Sequence, residues 1–309
     1  MNIRTFQPGD ERVQAGLFNA VAFALPGFKP ATEEDVKKRT RARGFDPAHR
    51  FYAEEGGAVV GYCVLEAAQN RISYPWCKKG FESAAAPLFE KALEAAKERG
   101  LTKLYAAYRR DWEPVLRFLE DNGFAKTRDQ INYVAEAVDL PTIASRSNIP
   151  FRRLKPEDIP ALAELGRGLI RISEEKLRTY LFSNPYFPVE AFLVMERDGN
   201  PVAVGVGLEI PTWADAKRID SLAPCFRMGA FGTEGYSAKR VNGLFSFVAR
   251  PEHTLTAGLA LLHEASQEMT EGSVSAICAQ CPSDATHLVN FYTRYFKEQG
   301  RFPIYERSL

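Results

Sequence analysis

The spacing of apolar residues along the chain predicts two β-hairpins and two long helices. Residues 51–65 alternate around a Glu-Glu-Gly-Gly turn, and residues 191–210 alternate around an Asp-Gly-Asn turn, as expected for hairpins. Residues 84–99 carry apolar side chains at helical spacing and are followed by a glycine, which is typical of helix ends. Residues 257–269 have a second amphipathic pattern of this kind. In each half of the chain, therefore, a hairpin precedes a long helix.

The two halves also match outside the hairpins. Ile3 to Asp10 resembles Phe151 to Asp158. A strand, a helix and an aromatic turn occupy Leu104 to Phe124, and the same succession occupies Ser275 to Phe296. Self-similarity of this kind is the sequence signature of a repeated structural unit. It predicts a fused pair of similar domains.

The second copy is longer than the first. The interval between matching residues widens after its hairpin, and residues 211–240 are rich in Gly, Pro and charge and have no clean period, which fits an insertion. Pro141 and Pro150 bracket a polar run that fits a linker. The predicted domains are therefore residues 1–140 and 150–309. Their shared element order indicates an α/β (α+β) fold, each domain having a mixed, mostly antiparallel central sheet flanked by helices.

Composition excludes several classes of protein. The chain has 40 basic and 39 acidic residues, and a net charge of +1 provides no large field for nucleic acid. Five cysteines, an odd number in a long chain, indicate reduced thiols and a cytoplasmic protein. The N-terminus lacks the apolar run of a signal peptide, and no apolar stretch approaches membrane-spanning length. We expect no nucleic-acid partner and no membrane partner, and the sequence leaves the oligomeric state open.

The start of each long helix carries residues suited to an anion. The two stretches are Gly80 to Ala85 and His253 to Gly258. The first amides of a helix have no internal partner, and together with the helix dipole they can bind a pyrophosphate. Ser83 and Thr256 fit as N-caps, so a plain capped helix is the simpler interpretation of each stretch.

With this element order the chain resembles, over nearly its whole length, the GNAT superfamily of acyl-CoA N-acyltransferases in tandem. The coenzyme A loop of that family has Arg or Gln, two residues, Gly, one residue, then Gly or Ala. Both copies here lack the basic residue, replace the first Gly by Ser83 or Thr256, and keep a small residue at the end. The resemblance implies acetyl-CoA as co-substrate, and it places coenzyme A at Val248, Arg250, Thr254, Thr256, Ala257, Gly258 and Asn290.

One position differs between the copies in a way that bears on catalysis. The family often carries, four residues before a Gly-Phe or aromatic pair, a Tyr whose hydroxyl protonates the departing thiolate. Counting back four residues from Gly123 of the Gly123-Phe124 pair gives Leu119, whereas counting back four residues from Phe296 of the Tyr295-Phe296 pair gives Tyr292. The resemblance therefore implies a degenerate first half and an active second half. The alternative is that Tyr292 is a core aromatic residue.

No general base or metal site stands out. Glu209, at the end of the second hairpin, and Glu234, in the insertion, are the candidates for the base, although surface carboxylates are common. Cys278 and Cys281 form a CxxC without a second pair to complete a zinc site. The four histidines have no ligand spacing, so we expect no metal.

The expected function is transfer of an acetyl group from acetyl-CoA to an amine by direct attack in a ternary complex. The acceptor would be a small-molecule amine or a peptide amine. One alternative is a degenerate pair of domains that binds coenzyme A, or a partner, without catalysis. Another is a transferase that uses aminoacyl-tRNA, which the near-zero net charge disfavours.

Overall fold

The structure is a computed structural model that describes residues 1–41, 45–139, 150–169, 173–183, 188–209, 241–268 and 274–309. Within it the chain forms two compact units, residues 1–129 with 302–309 and residues 130–301. The expected insertion at residues 211–240 lies outside the described residues. Among the described helices, none is long and apolar enough to cross a membrane.

The elements follow the predicted order in both halves of the sequence. The first half contains β1 (Asn2–Thr5), α1 (Asp10–Ala22), α2 (Glu33–Thr40), β2 (Arg50–Glu55), β3 (Ala58–Glu66), β4 (Arg71–Ile72), β5 (Trp76–Cys77), α3 (Ala85–Glu98), β6 (Lys103–Ala107), α4 (Glu113–Asp121) and β7 (Ala125–Glu136). The second half contains β8 (Phe151–Arg153), α5 (Ile159–Leu165), α6 (Glu174–Phe182), β9 (Phe192–Arg197), β10 (Asn200–Glu209), β11 (Val241–Ala249), α7 (Thr254–Glu268), β12 (Ala276–Pro282), α8 (Thr286–Tyr295) and β13 (Lys297–Ser308). Both predicted hairpins and both predicted long helices are confirmed.

The sheet of the first unit has the strand order β1-β2-β3-β4-β6-β13, with β5 paired to β3. Neighbouring strands are antiparallel except β4 and β6, which are parallel. The last strand of the chain closes this sheet, since Ile304 lies opposite Ala107 and Ser308 lies opposite Lys103. The predicted mixed, mostly antiparallel sheet is therefore present in the first unit.

The sheet of the second unit has the order β7-β12-β11-β10-β9-β8, and its one parallel pair is β11 with β12. By sequence β7 belongs to the first half, yet its residues Gln130–Glu136 pair with β12. The boundaries of the compact units therefore differ from the expected division at residues 140–150. Strand pairing places the end of β7 in the second unit and the end of β13 in the first unit, against their order along the chain. The fold class predicted from sequence is confirmed.

A partly buried ion-pair cluster joins β1 to β2 and to the start of α1 in the first unit. The Arg4 guanidinium donates to both carboxylate oxygens of Asp10, at 2.6 and 2.9 Å, and to Glu54 at 2.6 Å. Asp10 also accepts the amide of Gln7 at 2.7 Å. The bidentate geometry makes this the strong form of an Arg–carboxylate interaction.

The second unit repeats the cluster residue for residue. Arg152 donates to both oxygens of Asp158, at 2.6 and 2.7 Å, and to Glu196. Asp158 accepts the amide of Lys155 at 2.8 Å, and its pKa lies below the ordinary value chiefly because of Arg152. The internal repeat inferred from sequence therefore extends to side-chain hydrogen bonds.

A glycine at the centre of each hairpin lets the long helix approach the sheet. A Cβ built on Gly61 would lie 3.0 Å from Leu88 of α3, and one on Gly205 would lie 2.8 Å from Leu261 of α7. Real Cβ atoms rarely come so close, so both positions need the smallest residue. The two long helices are therefore seated on their sheets in the same way.

Candidate functional site

In the second unit, β11 and β12 pair at one end only. β11 pairs with β10 along residues 243–249, but with β12 only as far as Leu244 opposite Cys278. The amide of Arg250 donates to a carbonyl oxygen of β10. Because amides alternate in direction along a strand, the amide of Phe247 points away from β10, toward the side that β12 leaves. Among the described strands none pairs with this end of β11 on that side, and this stretch, open within the described structure, is called the open edge of β11 below.

Tyr292 on α8 lies in the core of the second unit, with 1% of its surface exposed. Its ring stacks on Tyr133 at 5.4 Å and lies 5.9 Å from the ring of Phe247. Other rings that pack around it are Phe245, Phe291 and Phe296. The ring therefore has the packing of a core aromatic residue.

The hydroxyl of Tyr292 does not fit a purely structural role. It is sealed from solvent and makes no hydrogen bond of ordinary geometry to a described residue. Burial raises its pKa well above the ordinary value, against the opposing effect of the backbone of Phe247. A buried polar group without a partner destabilises the fold, so such groups call for an explanation. The structure thus places a protonated phenol next to the open edge of β11.

The first unit differs at both of these places. Leu119, fully buried on α4, holds the position that Tyr292 has on α8. The backbone edge after β4 is capped, because the amide of Tyr74 donates to the hydroxyl of Tyr108 at 2.6 Å. Both rings pack against Trp76. Side chains of the unit itself therefore satisfy the edge that is open in the second unit.

The start of α7 corrects one expectation. A 3₁₀ turn at residues 251–253 leads into the helix, which begins at Thr254, and the Thr254 hydroxyl donates to the carbonyl of Arg250 at 3.2 Å. Thr256 is thus the third helical residue and is not the N-cap. Ser83 likewise lies inside a 3₁₀ turn ahead of α3 and caps nothing. The sequence placed the start of α7 three residues too late and that of α3 one residue too early, because it did not reveal these turns.

The small residues of α7 are used in packing. Ala257 and Gly258 are buried, and their amides lie within the hydrogen-bonded ladder of the helix. A Cβ on Gly258 would lie 2.5 Å from the ring of Phe291 and 2.8 Å from that of Phe247. Gly258 therefore has a structural reason to be glycine that does not depend on a ligand.

The other expected coenzyme A residues lie outside the core cluster that holds Tyr292. Arg250, Thr256 and Asn290 are exposed. Val248 packs against a separate apolar cluster of the second unit. Glu209 pairs with Gly243 through its backbone, but its side chain lies outside what the structure describes, as does all of Glu234. Their assignment to coenzyme A or to the base stays a prediction.

Sequence reasoning passed over His287, in the first turn of α8. Its Nε2 is sealed and has no hydrogen-bond partner among the described residues, and burial lowers its pKa, so the ring is neutral at neutral pH. No motif marks this residue, and only its position one turn before Tyr292 could have drawn attention to it. Within the described ranges no three His, Cys, Asp or Glu side chains group as metal ligands do.

Comparison with solved structures identifies the fold. A GCN5-related N-acetyltransferase from Sphaerobacter thermophilus matches with a TM-score of 0.64 at 17% identity, over 99% of this chain and 95% of that chain. A tandem GNAT protein from the clavulanic acid biosynthesis pathway matches with a TM-score of 0.55 at 14% identity, over 99% and 98%. At these identities the likeness concerns the fold alone, and it confirms the tandem GNAT fold that the sequence predicted.

Sequence comparison gives shorter matches. No family model matches the chain. Mycothiol acetyltransferases from Thermobispora bispora and Streptomyces bingchenggensis are 41% identical over 63 residues and 36% identical over 74 residues. These matches span 20% and 23% of this chain, and 21% and 24% of the lengths of those relatives.

Proposed function

We propose that the protein is an acyl-CoA-dependent N-acyltransferase that transfers acetyl from acetyl-CoA to an amine, with the chemistry in the second unit. The observation that carries this proposal is the sealed, unpartnered hydroxyl of Tyr292 next to the open edge of β11. The tandem GNAT fold and the names of the similar proteins support it.

The residues at this edge suit the thioester of acetyl-CoA, which supplies an activated acyl group. The Phe247 amide would donate to the carbonyl oxygen as negative charge develops on it during attack by the amine. Tyr292 would give its proton to the departing thiolate, because a phenol with a raised pKa is protonated at neutral pH. The Phe247 amide then acts on the carbonyl oxygen and the Tyr292 hydroxyl acts on the thiolate sulfur, which are the two atoms that gain negative charge.

Coenzyme A would extend from this edge toward the start of α7. The exposed residues there, Arg250 and Thr256, are the ones that remain available to a pyrophosphate. Glu209 and Glu234 remain the candidates for the base that takes the proton of the amine. The acceptor would be a small-molecule amine or a peptide amine, and the name mycothiol acetyltransferase of the two relatives supports a small-molecule acceptor.

One feature favours a second function, coenzyme A binding without catalysis. The loop before α7 lacks the basic residue and the first glycine of the family, and Gly258 is used in packing. Both functions require coenzyme A to bind, but only the acyltransferase turns over acetyl-CoA. The third possibility, use of aminoacyl-tRNA, has no support beyond the fold.

The whole chain would be tested with acetyl-CoA and a panel of small and peptide amines, with release of the free thiol as the signal. Calorimetry with acetyl-CoA would be run in parallel. Turnover of any amine supports the acyltransferase, and binding without turnover supports the second function. If acetyl-CoA neither binds nor is consumed, both proposals are wrong.

A further inference from the structure

Arg50, the first residue of β2, is a buried cation without an anion. It is 6% exposed, and its guanidinium lies over the ring of Phe45, with Cζ 5.0 Å from the centroid. Its guanidinium forms no ion pair or hydrogen bond with another described residue, unlike that of Arg4 in the same unit. Burial lowers its pKa, which reflects the energetic cost of an unpaired charge in this position.

A second polar group next to Arg50 also lacks a hydrogen-bond partner among the described residues. Tyr62 is 5% exposed, and its hydroxyl makes no hydrogen bond with a described residue. In the described chain, no polar side-chain atom of Arg50 or Tyr62 is both sealed from solvent and without a hydrogen-bond partner. Because neither side chain has such a partner, their polar atoms keep access to solvent. Tyr52, on the same strand as Arg50, donates its hydroxyl to Gln14 at 2.8 Å.

The charges facing this site leave it positive. Arg39, exposed on α2, lies within electrostatic reach of Arg50 and has no ion pair with a described residue. Glu66 is the nearby carboxylate, but it is engaged by Arg71 at 3.3 Å. Arg50 and Arg39 therefore lie in a region where the nearby carboxylate, Glu66, is already paired with Arg71.

The second unit shows that the fold does not need these polar residues. Arg4 lies opposite Tyr52 in the first unit, and Arg152 lies opposite Val194 in the second, which fixes the correspondence of strands. By this register the places of Arg50, Tyr52 and Tyr62 are taken in the second unit by Phe192, Val194 and Val204. These three apolar residues pack in one cluster, so packing alone does not explain the polar set.

We propose that Arg50 and Tyr62, with Arg39 at the rim, bind the oxyanion group of a small molecule, a carboxylate or a phosphate. The Arg50 fork matches either oxyanion with two parallel hydrogen bonds, and the Tyr62 hydroxyl donates a further one. The site lies in the first unit and includes none of the residues assigned to acyl transfer. It therefore holds whether or not the chain is an acyltransferase.

Calorimetry on the full chain tests the site with acetate, benzoate, inorganic phosphate and phenyl phosphate, and with benzamide as the neutral match of benzoate. At least one anion is expected to bind saturably, and the carboxylate and phosphate arms identify the preferred group. Arg50→Gln is expected to weaken binding by about tenfold or more, and Tyr62→Phe by several-fold. Arg110→Gln, at an exposed arginine of the same unit, is the control and leaves binding unchanged.

The proposal is overturned if no anion saturates, if benzamide binds as tightly as benzoate, or if Arg50→Gln binds like the wild type. Thermal unfolding without ligand gives a second readout, because Arg50→Met replaces an unpaired charge by an apolar side chain, as in the second unit. Its Tm should equal or exceed that of the wild type while anion binding is lost. A lower Tm with unchanged anion binding would identify a structural arginine. If the Arg50 variants do not fold, Tyr62→Phe decides, and unchanged binding there refutes the site.

Discussion

Replacing Tyr292 by Phe isolates the hydroxyl on which the proposed chemistry depends. The ring keeps its stacking on Tyr133 and its contact with Phe247, since only one oxygen is removed. If the phenol is the general acid, kcat should fall by about 10²–10⁴-fold. At about 1.4 kcal/mol for each tenfold change, this corresponds to roughly 3–6 kcal/mol of lost transition-state stabilisation.

The same variant should not lose stability, which separates catalysis from packing. The hydroxyl is sealed and unpartnered within the described structure, and burying such a group costs about 1–3 kcal/mol. Urea unfolding of Tyr292→Phe should therefore give a free energy equal to the wild type or higher by about 1 kcal/mol. A catalytic residue that destabilises its own fold is the pattern expected of a functional site.

Tyr133→Phe is the matched control, because it removes a hydroxyl from the ring stacked on Tyr292. That hydroxyl has a partner, Thr293 Oγ1 at 3.3 Å, so its loss should cost about 1 kcal/mol of stability and leave kcat unchanged. Both variants would be assayed for thiol release from acetyl-CoA with the best amine of the panel. Wild-type turnover by Tyr292→Phe would show that Tyr292 is only a core aromatic residue, and the second unit would lose its main support as the active one.

Three further predictions concern stability. Gly258→Val should lower the unfolding free energy by about 1–3 kcal/mol in urea, because a Cβ there meets the ring of Phe291 at 2.5 Å. Gly16→Val, inside α1 with nothing within 4 Å, should be neutral or slightly stabilising, because valine is a better helix former than glycine. Equal losses in the two variants would refute the packing role. Leu119→Ala, at a fully buried position, should cost about 2–5 kcal/mol in the same assay, and a loss below 1 kcal/mol would contradict the assigned core position. Burial lowers the pKa of His287, so the unfolded chain binds its proton more readily than the folded chain, and stability should fall as pH drops through about 6.5. His287→Gln should flatten this pH dependence of the unfolding free energy. An unchanged pH profile would show that the ring is not buried in solution.

Local patterns predicted the elements well, because the relevant physics is local. The hairpin at 51–65 and the helix at 84–99 follow from residue spacing within one segment. The start of α7 was misplaced, since Arg250 and the 3₁₀ turn after it carry no hydrophobic period. Tyr292 could be singled out by counting, but whether its hydroxyl has a partner depends on residues far away in sequence. Arg50 gave no signal at all, because an arginine at a strand end is ordinarily solvated.

The end of β7 pairs in the sheet of the second unit and the end of β13 pairs in the sheet of the first, which limits how the two units can be studied separately. A cut at residues 140–150 leaves the first fragment without the end of β13, whose Tyr305 is buried and hydrogen-bonds Glu120 at 2.8 Å. It leaves the second fragment without β7, where Tyr133 stacks on Tyr292. Each fragment would then expose an unpaired sheet edge and lose part of its core, which favours aggregation. A fragment that fails to bind acetyl-CoA would therefore say nothing about which unit holds the site, whereas point variants in the whole chain keep both sheets closed.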